Sequence, residues 1–161
     1  HIPGRTVVTQ AIPMDANKLL KKSINDPNPV IFIEHRWLHN IEEKYKKKMN
    51  KIAIGKSELL SKGKDFTAIT YSLSTIELLS LKKFLNNNNI YFDLIDLKTI
   101  KPLDLKPAIK SLKKTGKLLI LDSISHPICS VGSEILSQIS RDKRIKLTKP
   151  PIFGQTPIVQ V

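Results

Sequence analysis

The residues of this chain with the clearest chemical potential are an acid and an amide two positions apart, Asp26 and Asn28, placed just after a predicted helix. The last carbonyl groups of a helix have no hydrogen-bond partner within the helix and carry partial negative charge. The carbonyl groups of Ser23 and Ile24 would therefore face outward beside Asp26 and Asn28. An all-oxygen set of this kind suits a hard cation. The sequence therefore predicts a metal site formed by Ser23, Ile24, Asp26 and Asn28. The alternative is that Asp26 and Asn28 only cap a turn before Pro29.

A second group of candidate residues follows a predicted strand that ends at Glu34, and consists of His35, Arg36, Trp37 and His39. A histidine in this position could act as a proton shuttle. We favour a contact role, in which Trp37 buries its ring against a partner subunit or the following domain.

Two weaker candidates lie near the end of the chain. Cys129 follows His126 by three residues in a predicted loop, a pair that could act as nucleophile and base. Since no third group is placed to orient them, an inert thiol is the favoured interpretation. Gly132 at a predicted helix start could bind an anion through backbone amides. We assign no catalytic and no cofactor-binding residue to this chain.

The charge of the chain raises the question of nucleic acid. The formal net charge is +13, and clustered lysines can neutralise phosphates. The tight cluster consists of Lys44, Lys46, Lys47, Lys48 and Lys51, and its one interleaved aromatic residue, Tyr45, does not make a platform on which successive bases could stack. Because the other lysines are scattered, we favour a solvated basic surface and expect no nucleic-acid partner.

The remaining composition bounds the compartment and the size of the core. The chain has 161 residues, of which 40% are apolar, enough to build a core. A single cysteine excludes an internal disulfide framework and fits a reducing compartment. No apolar run approaches the length of a membrane span, and no signal peptide opens the sequence. We expect a cytoplasmic or mitochondrial or other organelle-matrix protein with no membrane partner.

The elements that position the Asp26 turn form a strand–helix–strand unit over residues 1–40, whose earlier strands would lie upstream. Val7 and Val8 belong to the first strand, and residues 30–33 form a buried second strand. The helix between them is predicted to have one core-facing stripe, which consists of Ala16, Leu19, Leu20, Ser23 and Ile24. Residues 41–55 lose this period and become charged, as a linker does.

Residues 56–161 are predicted to alternate between strands and helices. Strands are expected at 66–71, 91–97, 118–121 and 145–148, with helices between them. Ser74 and Glu77 have the spacing of a capping box, with Leu78, Leu81 and Leu85 on one face of that helix. Asp104 is predicted to cap the next helix and Gly116 to end it, and a last helix is expected over 132–140. This rhythm predicts an α/β fold with an open, mainly parallel sheet and flanking helices.

The loop at 97–104 has a distinctive position in this scheme. It follows a strand that ends at Leu97, Pro102 fixes its backbone, and Asp104 begins the next helix. Ligands of open parallel sheets bind beyond the carboxyl ends of the strands, so a site could lie here. A loop that only connects the two elements is an equally good interpretation.

Four ordered motifs resemble one protein family over nearly the whole chain. They are the segment from His1-Ile2-Pro3-Gly4 to Glu34, the run IDLKTIKPLD at 95–104, Lys114-Thr115-Gly116, and VGSEI at 131–135. Together they resemble the beta subunit of the thiamine-diphosphate-dependent 2-oxo acid dehydrogenases, the first components of the pyruvate and branched-chain complexes. The resemblance implies a transketolase-like C-terminal domain at 56–161, preceded by the end of a pyrimidine-binding domain at 1–40 and a linker at 41–55.

The resemblance also implies a function for the assembly and limits for this chain. Relatives place a structural potassium ion at the positions of Ser23, Ile24, Asp26 and Asn28, with the first two binding through main-chain carbonyls. Thiamine diphosphate and magnesium belong to the full assembly, with an alpha subunit, a second beta subunit and the lipoamide acyltransferase core as partners. Two alternatives stay open: the tail of a transketolase or deoxyxylulose-phosphate synthase, and a non-catalytic assembly or scaffold module.

Overall fold

The computed structural model describes residues 3–43, 52–122 and 130–155. The first range holds β1 (Thr6–Thr9), α1 (Pro13–Ile24), β2 (Val30–Ile33) and a 3-10 helix (Arg36–Asn40). The second holds β3 (Glu58–Ser61), β4 (Phe66–Thr70), α2 (Leu73–Asn87), β5 (Phe92–Asp96), β6 (Thr99–Lys101), α3 (Lys106–Thr115) and β7 (Leu118–Asp122). The third holds α4 (Val131–Arg141) and β8 (Ile152–Gln155). Within these ranges no helix is both long and apolar enough to cross a membrane.

The strands form two sheets. The larger has five strands in the order β3-β5-β4-β7-β8, and the smaller has three in the order β2-β1-β6. In the larger sheet β5, β4, β7 and β8 run parallel, and only the edge strand β3 is antiparallel among the described strands. The predicted α/β fold with a mainly parallel sheet and flanking helices is confirmed.

Apolar side chains cover both faces of the larger sheet, as a parallel sheet requires. On one face, α3 and α4 contribute Ala108, Leu112, Ile135 and Ile139 to a core shared with Ile69 and Ile95 of the strands. On the other face, Leu78 of α2 packs with Ala68, Phe92 and Leu94. Helices on both faces leave the carboxyl ends of β4, β5 and β7 along one edge.

The smaller sheet joins the first described range to the second. Its strand β1 pairs in parallel with β2 and antiparallel with β6, which follows β5 directly. The amide of Thr9 also donates to the carbonyl of Lys98 at 3.0 Å. The sheet over residues 6–33 is therefore completed by a strand that comes from within the following α/β unit.

The predicted core-facing stripe of α1 is wrong in extent. Of its members only Leu19 is buried, while Leu20 is 46% and Ile24 73% exposed. The predicted burial of β2 is likewise wrong, since Ile31 and Ile33 are 42% and 47% exposed. The apolar period correctly predicts a helix and a strand, but within the described chain only one side of each is covered.

Two predicted helix starts lie elsewhere. Ser74 and Glu77 do not form a capping box, because α2 already begins at Leu73 and Ser74 is buried in its first turn. On the same helix Leu81 is 51% exposed, so it does not share the buried face of Leu78.

Asp104 lies one residue before the N-cap of α3, although its Oδ1 accepts from the amide of Lys106 at 3.2 Å. The predicted stop at Gly116 is confirmed, with φ at 62°.

The predicted strand at 145–148 is absent, and the last described strand is β8. Ile145 and Leu147 instead pack against the core from an irregular segment, which accounts for their apolar alternation. The amide of Thr148 donates to the carbonyl of Gly116 at 2.7 Å, an attachment to a helix end rather than to a strand.

Candidate functional site

The Ser23–Asn28 segment forms a turn held mainly by its own polar groups. Oδ1 of Asp26 accepts from the Asn28 amide at 2.9 Å and from Asn28 Nδ2 at 3.1 Å. The carbonyl of Ser23 accepts from the Asp26 amide at 3.4 Å. These bonds are those of a capped turn, and the cation site formed by this segment stays a prediction.

Other features of the same turn bear on its fitness for a cation. The hydroxyl of Ser23 is buried and lacks a hydrogen-bond partner among the described residues, an orphaned oxygen that a bound ion could engage. A surface cavity of about 490 Å³ beside the turn is lined by Asp26 but also by Lys21 and Lys22, whose charges oppose a cation. The oxygen set fits a weakly bound monovalent ion better than a divalent one, because it offers one carboxylate against two ammonium groups.

The histidines after β2 have local partners. Nδ1 of His35 accepts from the Trp37 amide at 3.3 Å, which caps the 3-10 helix. Nε2 of His39 lies 3.6 Å from Glu34 Oε2 on an exposed surface. Trp37 is 52% exposed, so it is not buried against the following domain within the described chain. Its predicted burial against a partner subunit stays a prediction.

A buried ionic cluster joins the two sheets at the loop after β5. The ammonium of Lys98, with a side chain 3% exposed, contacts Oδ2 of Asp15 in α1 and lies 2.5 Å from Oε2 of Glu58 in β3. Asp96 at the end of β5 is also buried, and its Oδ1 accepts from the Thr75 hydroxyl at 3.1 Å. Its Oδ2 has no partner in the described structure. Two carboxylates thus contact one ammonium, and the Asp96 carboxylate interacts with it electrostatically.

The charges of this cluster shift each other's proton affinities. Burial raises the pKa of Asp96 to about 7, against the opposing effects of Lys98 and the Thr75 hydroxyl. Burial alone would lower the pKa of Lys98, but Asp96, Asp15 and Glu58 hold it above its usual value. Lys98 is therefore a permanent cation, whereas Asp96 is the member of the cluster that titrates near neutral pH.

The Lys114-Thr115-Gly116 motif has a structural role on the larger sheet. Lys114 Nζ donates to Asp93 Oδ2 at 2.7 Å, and the Gly63 amide donates to Asp93 Oδ1 at the same distance. Burial alone would raise the pKa of Asp93, but Lys114, Ser111 and the Gly63 amide hold it below its usual value. The motif fastens α3 to β5.

The start of α4 is already occupied by a carboxylate of the chain. Oδ2 of the buried Asp122 accepts from the Gly132 amide at 2.8 Å, and its Oδ1 accepts from the Tyr71 hydroxyl. The Ser130 hydroxyl accepts from the Ser133 amide at 3.1 Å. With these amides satisfied, Gly132 does not offer a free anion site, and the anion interpretation is not supported.

Gly132 has a packing role that makes a testable prediction. A Cβ at this position would lie 2.1 Å from Cε2 of Phe153 and 3.1 Å from Asp122 Oδ2. We expect Gly132→Ala to lower the free energy of unfolding by about 1–3 kcal/mol, since the ring must move out of a packed core. Urea unfolding of both forms measures this. An unchanged midpoint would show that Phe153 moves at no cost.

A cleft of about 540 Å³ lies between the smaller sheet and α4, beside the loop that follows β6. It is lined by Val7, Ile100, Lys101, Leu103, Ser130, Val131, Glu134 and Gln138. The lining is mostly apolar with one lysine and one glutamate, which can contact a protein surface or an amphipathic molecule. The predicted placement of a site at the 97–104 loop is therefore compatible with the shape of the molecule.

The residues described do not fit a diphosphate–magnesium group. No group of three or more His, Cys, Asp or Glu side chains that could hold a metal ion occurs within 3–43, 52–122 and 130–155.

Three features singled out in the sequence lie outside these ranges: the His126–Cys129 pair, the lysine cluster at 44–51 and the first two residues of the His1 motif.

Comparison with known families settles the class of this fold. Residues 55–152 match the family model described as the transketolase C-terminal domain, which is more than half of the chain. The chain belongs to this family. The solved structure of a split-gene transketolase, an inactive beta4 tetramer, matches 96% of the chain and 49% of its own length, with a TM-score of 0.79. At 22% identity, it shows that the transketolase C-terminal fold is shared.

Curated relatives of this transketolase C-terminal family member are beta subunits. The chain is 37% identical over 140 residues to the pyruvate dehydrogenase E1 component subunit beta of Rhizobium meliloti, covering 86% of the chain and 30% of the relative. The corresponding subunit of Porphyra purpurea is 34% identical over 151 residues, with coverages of 94% and 45%. The acetoin:2,6-dichlorophenolindophenol oxidoreductase subunit beta of Cupriavidus necator is 33% identical over 141 residues, with coverages of 88% and 41%. The chain thus spans less than half the length of these relatives.

The ionic cluster is the part of the site that sequence reasoning missed. A signal was present, because Asp93, Asp96 and Lys98 interrupt a run of apolar residues that begins at Phe92. A charged residue at a strand position expected to be buried implies a partner, since an unpaired buried charge is costly. The partners Asp15 and Glu58 lie 83 and 40 positions away from Lys98 in the sequence, so the pattern alone could not identify them.

Proposed function

We propose that this chain is the C-terminal part of the beta subunit of a thiamine-diphosphate-dependent 2-oxo acid dehydrogenase. The observation that carries the proposal is its similarity to beta subunits over 86–94% of its length. The parent reaction decarboxylates pyruvate or a branched-chain 2-oxo acid and passes the acyl group to lipoamide, whose disulfide is reduced. In that assembly, thiamine diphosphate and magnesium are held by residues outside this chain, which contributes contacts and a structural cation site.

The proposed partners are an alpha subunit, a second beta subunit and the lipoamide acyltransferase core. The exposed apolar side chains of the smaller sheet support an assembly role. Ile31 and Ile33 lie on β2, on the opposite face from Phe32, which packs with Leu19 of α1. A parallel strand pair normally has both faces covered, so a partner surface against Ile31 and Ile33 would complete the packing.

The assembly role can be tested with one charge on this face. Co-expression with the alpha subunit of the same organism, followed by sedimentation velocity, measures association. Ile33→Asp should weaken association at least about tenfold, since a buried carboxylate would be left unpaired. The matched control is Leu81→Asp, which places the same charge at an exposed leucine of α2, the helix that packs against the larger sheet. Equal association of both variants and the parent chain would refute a contact at β2.

A transketolase tail is the second candidate, favoured by the fold shared with the split-gene transketolase. The two candidates differ in substrate, because a transketolase transfers a ketol unit between sugars and releases no carbon dioxide. Carbon dioxide release from a 2-oxo acid by the complete assembly therefore distinguishes them. A scaffold module would form the assembly and add nothing to either reaction.

We also propose that Ser23, Ile24, Asp26 and Asn28 hold a potassium ion. The orphaned Ser23 hydroxyl and the Asp26 carboxylate support the proposal, and the nearby Lys21 and Lys22 limit the affinity. An ion that binds only the folded state stabilises it by about 2.7 kcal/mol at a hundred times its dissociation constant. The melting temperature should therefore rise more with potassium than with equal lithium or choline.

The cation experiment has its own control in the same turn. Asp26→Ala should abolish the preference for potassium and leave the general salt response intact. The preference should persist in Asn25→Ala, which removes the neighbouring amide that donates to the Lys21 carbonyl. Identical melting curves in potassium and choline would mean that the segment is only a capped turn.

A further inference from the structure

The loop between β5 and β6 places an acid that can hold a proton at the junction of the two sheets. Asp96 is 1% exposed at the last position of β5, and Oδ2 of its carboxylate has no partner among the described residues. Lys98 follows two positions later and is 2% exposed. Neither residue faces solvent, so a change in the charge of one must be balanced by the other groups of the cluster.

Lys98 holds the junction through both its backbone and its side chain. Its carbonyl accepts from the Thr9 amide of β1 at 3.0 Å, and its ammonium contacts Asp15 of α1 and Glu58 of β3. Its φ of 49° lies in the left-handed region, which an L-residue adopts at a cost. The tight turn is closed by a hydrogen bond from the Thr99 amide to the Leu97 carbonyl. The contacts of the side chain therefore maintain a backbone conformation that is unfavourable by itself.

We propose that Asp96 and Lys98 form a proton-controlled latch between the two sheets, closed when Asp96 holds a proton and loosened when it loses that proton. With Asp96 neutral, the Lys98 ammonium is shared by Asp15 and Glu58 alone. With Asp96 ionised, a third carboxylate competes for the same ammonium inside the structure. The competition weakens the contact of Lys98 with α1 and with it the turn that aligns β6 against β1.

The charged groups that act on Asp96 come from each element packed around it. They are Lys98 of the loop, Asp15 of α1 and Glu58 of β3. The neutral Thr75 hydroxyl of α2 donates to Asp96 Oδ1 at 3.1 Å and shares a hydrogen bond with the Thr70 hydroxyl of β4. Burial is the main reason that the protonated acid is favoured; Lys98 opposes it, and the two carboxylates add to the effect of burial. Because β6 carries Ile100 and Lys101, the latch also fixes one wall of the cleft between the smaller sheet and α4.

The sign of the pH effect follows from the raised pKa of Asp96, about 7 in the folded chain against a usual value of 3.8. Above pH 4 the unfolded chain loses this proton while the folded chain keeps it, so the stability that the proton provides is lost as pH rises toward and through 7. Asp96→Asn keeps an acceptor for Thr75 and cannot ionise. The unfolding equilibrium constant of the parent chain, relative to the Asn variant, should rise by about a hundredfold between pH 5 and pH 8.

The experiment is urea unfolding of the full chain, its Asp96→Asn variant and its Asp93→Asn variant at pH 5, 6, 7 and 8. Asp93 is the matched control, because it lies on the same strand, is 2% exposed, and has a pKa shifted in the opposite direction. The gap between the parent and Asp96→Asn should widen with rising pH in favour of the variant, whereas Asp93→Asn should be the less stable form at pH 8. Equal pH profiles of the parent and Asp96→Asn would overturn the latch.

A local measurement separates a latch from uniform stabilisation. At pH 8 the Thr9 amide should exchange its hydrogen at least about tenfold more slowly in Asp96→Asn than in the parent chain, measured relative to the Ile120 amide of the interior strand β7. An unchanged ratio of the two amides would show that Asp96 affects the whole fold and does not control the junction.

Discussion

Replacing Lys98 by methionine is expected to lower the free energy of unfolding by about 3–5 kcal/mol at pH 8. Methionine keeps most of the side-chain length but removes the ammonium that Asp15 and Glu58 contact. The carboxylates would then be left in a largely buried site with no opposite charge. The free-energy cost of these unpaired charges is larger than the stabilisation that the ion pairs provided. Urea unfolding followed by circular dichroism measures the loss.

The control for this prediction is Lys110→Met, the same change at an exposed position of α3. It should alter the free energy of unfolding by less than about 0.5 kcal/mol. Lowering the pH should reduce the loss in Lys98→Met, because the carboxylates can be neutralised by protons instead. A loss equal to that of Lys110→Met would mean that the buried cluster does not hold the two sheets together.

Phe92→Ala is expected to cost about 3–5 kcal/mol. The ring is 1% exposed and stacks on Phe66, with ring centroids 5.2 Å apart and planes at 12°. Its removal leaves a cavity between the larger sheet and α2, where Ala68 and Leu94 cannot fill the space. Thermal or urea unfolding of the variant measures the effect.

Phe84→Ala is the matched control, because this ring is 65% exposed near the end of α2. Its effect on the free energy of unfolding should stay within about 0.5 kcal/mol. Comparable losses for Phe84 and Phe92 would contradict the placement of the core on this face of the sheet.

The α/β class can be predicted from the sequence because its local signals agree with the long-range packing. The apolar run at 118–121 forms the interior strand β7, and Gly116 adopts the left-handed conformation that ends α3. Such signals are local: they depend on the period of apolar residues and on single turn residues. The same reasoning misplaces a strand at 145–148, since apolar alternation also occurs in a segment that packs without pairing.

Exposure and ionic partners could not be predicted in the same way. The period of α1 includes Leu20 and Ile24, but whether a helix face is covered depends on elements distant in sequence. The partners of Lys98 lie on α1 and on β3, two elements that no spacing rule connects. The predicted cation turn illustrates the same limit, because only the structure shows that Lys21 and Lys22 line the same cavity as Asp26.

The central claim is that this chain contributes assembly contacts, and no catalytic groups, to a thiamine-diphosphate-dependent reaction. The most direct test is carbon dioxide release from carboxyl-labelled pyruvate and from a branched-chain 2-oxo acid, with thiamine diphosphate and magnesium present. The isolated chain should release none above the level without protein, whereas the assembly of a complete beta subunit carrying this sequence with its alpha subunit should release it continuously. Turnover by the isolated chain, or a complete assembly inactive on both 2-oxo acids, would contradict the account.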